Sequence, residues 1–141
     1  MGTIDRLEYF KLIANKGVKQ RKAHADEEHK LQCDCVKWFR SQYPDYADRL
    51  VAIPNGGKRD ATTGAKLKAE GVVAGVADLM LVVTTQHYGA LFIEMKTEKG
   101  RQSEAQKKWE ESVTKDRYKY VICRSLDDFV VAITRYMYHL E

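Results

Sequence analysis

The chain has 141 residues, 44% of them hydrophobic and 31% charged, with a net charge of +4, which fits one globular domain with one core. Its longest apolar run, Leu79 to Val83, is far shorter than the roughly 20 residues that cross a bilayer. The charges at Asp5, Arg6 and Glu8 exclude the apolar stretch of a signal peptide, and the odd set Cys33, Cys35 and Cys123 argues against a disulfide framework, so a cytosolic protein is expected.

In chain order, Ile4, Leu7, Phe10 and Ile13 recur at helical spacing behind Thr3 as N-cap. Gly17 is expected to end this helix and a basic linker to follow. The spacing predicts a second helix from Asp26 to about Gln42, with Leu31, Cys35, Trp38 and Phe39 on one side and Pro44 at its end. This divides the chain into an N-terminal helix and basic linker, 1–22, and a main domain, 23–141. Cys33 and Cys35 lie in a helical pattern, where residues two apart diverge, so they do not form a zinc site. The histidines lack partners at ligand spacing; His24 and His29 are five apart.

Leu50 to Ile53 reads as a strand and Pro54 to Gly57 as a turn. Residues 58 to 71 form a loop or short helix, with helix potential around Ala65 to Ala69. Val76 to Thr85 is dense in Val and Leu and predicts a strand buried on both faces. After a turn at Gln86 to Gly89, Ala90 to Lys96 completes a hairpin. Ser103-Glu-Ala-Gln106 has the form of a capping box. The helix it opens runs to about Lys115 and buries Ala105, Trp109 and Val113. Tyr118 to Arg124 is the next strand. Ser125 to Asp128 opens a last helix with Leu126, Phe129, Val130, Ile133 and Met137 inward, and Tyr136 and Tyr138 at a core edge or subunit contact. The order fits an α/β fold, a mixed sheet of three or four strands flanked by helices.

The residues that carry chemistry are Asp78, Glu94 and Lys96. Glu94 and Lys96 are two apart in a strand and share a face. A hairpin centred near residue 87 brings Asp78 opposite about residue 96, on that same face. Two neighbouring carboxylates repel unless a cation lies between them. Mg²⁺ or Mn²⁺, with oxygen ligands that include the Met95 carbonyl, resolves the conflict. Such an ion polarises a phosphate and acidifies a bound water, and Lys96 can orient that water. Charge placement agrees with a polyanion. Five cations (Lys96, Lys99, Arg101, Lys107, Lys108) face two acids, Glu98 and Glu104, between 96 and 108. Further cations cluster at Lys58, Arg59, Lys66 and Lys68, and at Lys16, Lys19, Arg21 and Lys22. The Asn55-Gly-Gly-Lys58-Arg59 loop reads as a phosphate-backbone contact, its glycines allowing close approach.

The order Asp78…Glu94-x-Lys96 resembles the active-site motif of the PD-(D/E)xK nuclease superfamily. The blocks Ile53-Pro-Asn-Gly-Gly-Lys-Arg59, Gly64-Ala-Lys-Leu-Lys-Ala-Glu-Gly71, Gly75-Val-Ala-Asp78, Phe92-Ile-Glu-Met-Lys96 and Ser103-Glu-Ala-Gln106 together resemble the VRR-NUC domain. The resemblance implies a restriction-endonuclease-like fold and a Mg²⁺- or Mn²⁺-dependent endonuclease. Asp78 and Glu94 are then metal ligands, Lys96 the catalytic lysine and Gln106 an active-site glutamine. It also implies a carboxylate from the N-terminal helix, Glu28 or alternatively Glu27. Substrate and assembly follow the same resemblance: DNA, branched as in a four-way (Holliday) junction, and a homodimer. A phage or mobile-element origin, or a role in repair, fits such an enzyme. Two departures stand out. Ala77 replaces a proline common in the family, and Val72-Val-Ala74 stands where the family's paired arginines lie, which puts DNA contacts there in doubt.

Overall fold

The computed structural model describes residues 6–54 and 61–139, without the side chains of 6–10, 12–14, 17 and 18. Thr3 as a cap, the stripe from Ile4 to Ile13, and Asn55, Lys58 and Arg59 therefore lie outside the described residues or side chains. The elements are α1 (Arg6–Gln42), a 3-10 turn (Pro44–Arg49), β1 (Leu50–Ala52), α2 (Ala61–Ala69), β2 (Leu79–Leu81), β3 (Ala90–Met95), α3 (Glu104–Thr114), β4 (Tyr118–Cys123) and α4 (Leu126–Met137).

The first correction concerns α1. The expected break at Gly17 and the basic linker to residue 22 are absent; one helix of 37 residues runs through both. A single glycine costs a helix only about 1 kcal/mol, and the Lys, Gln, Arg and Ala residues that follow are good helix formers. The helix stops where Pro44 forbids continuation. Likewise α2 is longer than expected. It closes with Gly71 at a φ of 104°, while Gly71 N–H donates to Lys68 O and Val72 N–H to Leu67 O. These two bonds satisfy the last carbonyls in a left-handed C-cap that favours glycine.

The sheet has the order β1-β2-β3-β4. β1 and β3 are antiparallel to β2, and β4 is parallel to β3. Side chains alternate between its faces. Leu79, Leu81, Leu91, Ile93, Met95 and Cys123 form one core with Cys35 and Phe39 of α1 and Phe129, Ile133 and Tyr136 of α4. Trp38 meets Phe129 edge to face at 6.0 Å, a packing role in keeping with its helical spacing. The opposite face carries Phe92 beneath Trp109 of α3, their ring centroids 4.8 Å apart.

Three expectations change with this layering. The strand expected over Val76 to Thr85 narrows to three residues, buried at Leu79 and Leu81 but not on both faces, since Val82 is 46% exposed. Among the described residues, α3 is the helix that covers the second face. Leu126, expected inside, is exposed, and Tyr136 takes a core place instead, its hydroxyl donating to Val83 O at 2.6 Å. Ala105, Trp109 and Val113 are half-buried rather than buried.

Candidate active site

β3 is buried along its whole length, yet it carries a glutamate and leads into a lysine. Glu94 is 2% exposed and Lys96 8%. Both project from the α3-covered face, as their even spacing requires. The register pairs Leu79 with Ile93, so one step further Asp78 falls opposite Glu94, not residue 96. The offset of two keeps every side chain on its expected face. Where β2 ends, the Asp78 carboxylate replaces a ladder bond: Met95 N–H donates to its Oδ2 at 2.7 Å. In a strand the N–H and C=O of one residue point to the same side, so the Met95 carbonyl is directed toward Asp78 as well.

Glu94 is held from two sides through one oxygen. Gln106 Nε2 donates to its Oε1 at 2.8 Å, and Lys96 Nζ lies 3.4 Å from the same atom. Gln106 also closes the capping box at the start of α3, its Oε1 accepting from Ser103 N–H. That acceptor role orients the amide, so the Nε2 must face the carboxylate. The other oxygen, Glu94 Oε2, is buried and has no hydrogen-bond partner. Burial, then the Asp78 charge, pushes the Glu94 carboxyl up from 4.5 to about 8 against the opposing pull of Lys96. An acceptor left dry and unpaired is costly, and a cation between the two carboxylates removes the cost.

Neighbouring backbone fixes these groups. Gly75 has a φ of 90° and presses against α3, where a β-carbon would overlap the Ala105 carbonyl. This contact ties the Gly75-Val-Ala-Asp78 passage to the turn of α3 that presents Gln106. Beyond Lys96, the chain turns through Thr97 to Gly100. Arg124 holds that turn, its Nη1 donating to the carbonyls of Thr97 (2.8 Å), Glu98 (3.2 Å) and Gly100 (2.6 Å). On the same sheet face, the Tyr120 hydroxyl accepts from Gln102 Nε2 at 3.3 Å, and that amide also donates to Glu110 at 2.8 Å. Burial, with Glu94, Glu110 and Asp78 nearby, raises the Tyr120 phenol.

The structure therefore gathers Asp78, Glu94, Lys96, Gln106 and the Met95 backbone. Glu28 is half-buried and Glu27 exposed. Glu28 lies on the stripe with Gln32, Cys35 and Phe39 that faces the sheet. Among the described residues, however, no third carboxylate joins Asp78 and Glu94 in a metal-holding group. Two carboxylates and a carbonyl suit Mg²⁺, which keeps several waters and shares substrate phosphate. Lys99 and Arg101 are exposed on and just after the Arg124-held turn. Lys66 and Lys68 are exposed on α2, which buries no residue, and among the described residues neither forms an ion pair with the site. Sequence reasoning missed Gly75 as a contact, Arg124 and Tyr120. Gly75 had a signal as the first residue of the Gly75-Val-Ala-Asp78 block, and Tyr120 in sharing one face of β4 with Tyr118, whereas Arg124 had none.

A mixed sheet with a buried Glu-x-Lys pair beside an aspartate on the adjoining strand is the restriction-endonuclease-like class of nuclease fold. The chain belongs to the VRR-NUC domain family, whose model matches residues 14–127. A solved structure titled "VRR_NUC domain protein" is similar at 26% identity and a TM-score of 0.69, over 79% of this chain and 88% of that one. No curated protein matches the chain. No described helix is long and apolar enough to cross a membrane.

Proposed function

We propose that this nuclease domain is a divalent-metal-dependent endonuclease that hydrolyses phosphodiester bonds in DNA, with branched DNA such as a four-way junction as substrate and a homodimer as the acting form. The observation that carries the metal dependence is the dry, unpartnered Oε2 of Glu94 beside Asp78. Asp78, Glu94 and the Met95 carbonyl would hold Mg²⁺ or Mn²⁺. When bound, that ion supplies Lewis-acid activation of the phosphate and a more acidic water.

The protein's own groups account for the rest. Gln106 and Lys96 fix Glu94 in one orientation, so its free oxygen keeps its direction. Asp78 is fixed by the Met95 N–H. The Lys96 ammonium, buried among low-dielectric neighbours, donates toward the attacking water and the phosphate oxygen on which charge develops, where preorganised donors count most. Water oxygen bonds to phosphorus as the bond to the leaving sugar oxygen breaks. Two active sites in a symmetric dimer would reach two strands of one junction.

The test is cleavage of linear, flap and four-way DNAs with Mg²⁺ or Mn²⁺, wild type beside Lys96→Ala. Metal-dependent cleavage, strongest on the four-way DNA and lost in the variant, is expected. Cleavage that persists in chelator, or in Lys96→Ala, refutes the assignment.

A further inference from the structure

A groove of about 850 Å³ lies along the outer edge of β4, against α4 and away from the catalytic carboxylates. Its charged lining is lopsided: Lys119, Arg124 and Arg135 against Asp128. That one acid is engaged, its Oδ2 accepting from Arg124 N–H at 3.0 Å. Neither Lys119 nor Arg135 forms an ion pair among the described residues. Both are exposed, and Lys119 sits over the Tyr88 ring, 5.5 Å from its centroid. The floor between the cations is apolar, with Val121 and Ala132 and Val131, which is 53% exposed. At one end stands Arg124, whose guanidinium closes the 97–100 turn directly after Lys96.

We propose that this groove is a second nucleic-acid site, which seats an unpaired DNA strand continuous with the strand at the active site. The inference rests on the nuclease reading. A cationic rim over an apolar floor matches a single strand, which offers phosphates and bare base faces together. Duplex DNA shows mainly phosphates and groove edges and makes no use of the floor. The path from Lys119 to Arg124 leads to Lys99 and Arg101, so one strand can run from groove to catalytic face around the β4 edge. The groove thereby adds a hold on a strand that leaves its duplex where a branch opens, beside the paired arms that meet at the active site.

The test is fluorescence anisotropy in chelator, where no cleavage intervenes, with an oligothymidylate of about ten nucleotides and the full chain. Lys119→Glu/Arg135→Glu is expected to weaken binding at least about tenfold and lower the salt slope by about 1.4, two phosphates at 0.7 each. Lys119→Arg/Arg135→Lys should retain both. The charge-reversed variant should still cleave a blunt duplex with Mg²⁺ at the wild-type rate. Unchanged affinity and slope overturn the proposal. So does equal loss of binding to a blunt duplex, which marks a duplex seat, or displacement of the oligothymidylate by polyglutamate at equal charge, which marks an acidic protein. If the reversed variant melts early, Lys119→Gln/Arg135→Gln replaces it, with a slope change of the same sign. Failure of the wild type to cleave any DNA would sink the nuclease reading while the anisotropy result still decides the groove.

Discussion

The two faces of the sheet are built from alternate residues of the same strands and obey opposite rules. Leu79, Leu91, Ile93 and Met95 are sealed between α1 and α4 and are fully dry. Asp78, Phe92, Glu94 and Lys96 lie one residue away, under α3. On the first face burial removes apolar surface from water and stabilises the fold. On the second it strips water from charges, which costs stability and creates a reactive environment. The α3-covered face is thus the strained part of an otherwise ordinary sheet.

The sharpest way to break this contrast is to change two adjacent residues of β3. Glu94→Gln should reduce metal-dependent cleavage by about 10²–10³-fold or more, with melting in chelator at or above wild type. Ile93→Ala should cost about 2–5 kcal/mol of stability and leave the surviving folded fraction active. Single-turnover cleavage and denaturant titration measure the two. If Glu94→Gln unfolds the protein as readily as Ile93→Ala, the faces do not differ in kind.

A pH titration sharpens it further. The folded Glu94 carboxyl binds its proton up to about 8, while in the unfolded chain it ionises near 4.5. Between those values the folded state holds more protons. Stability in chelator is therefore full below about 4.5, falls as pH rises through the window by up to about 1.4 kcal/mol per pH unit, and then levels. Glu94→Gln should remove this slope, and Mg²⁺ should raise the melting temperature at pH 8 in wild type but not in the variant. A flat wild-type profile in chelator would show that Glu94 meets water or a partner.

Gly75→Ala tests how the two layers of the second face are joined. The added methyl overlaps the Ala105 carbonyl at a φ of 90°, so a cost of about 2–4 kcal/mol is expected. Cleavage by the remaining folded protein should also fall, because α3 can relieve the clash only by carrying Gln106 away from Glu94. Full activity per folded molecule would mean that α3 placement does not matter to the site.

Most of this plan is legible in the sequence, and for physical reasons. The two-residue spacing of Glu94 and Lys96, the capping box at Ser103 and the N-cap at Ser125 are local signals, and the structure keeps them. Motif order carried the site. What failed was decided by tertiary packing. Burial of β2 on both faces requires a cover that only the number and placement of helices reveals. The register of Asp78 depended on irregular backbone before the 86–87 turn. An error of two residues preserved its face by parity, whereas an error of one would have turned it into the core. The helix carboxylate stayed open because nothing in the spacing of Glu27 and Glu28 says how far α1 stands from Glu94.

Arg124 gives the smallest and most discriminating test. It lies at the end of β4, outside every motif, and its guanidinium is partly solvent-exposed. Its three carbonyl acceptors all belong to the 97–100 turn, so loss of the side chain frees the turn rather than the core. Arg124→Ala should cost only about 1 kcal/mol, below the usual range for hydrogen bonds from a charged group, because at this exposed position water replaces them. The Lys96 side chain, packed against Gly100, would lose its backing, so kcat should fall several-fold with little change in KM. Arg124→Lys ends roughly one bond short of the Nη1 position at which the three carbonyls converge and should resemble alanine in kcat. If lysine restored wild-type kcat, positive charge near the phosphate rather than turn geometry would be what Arg124 supplies.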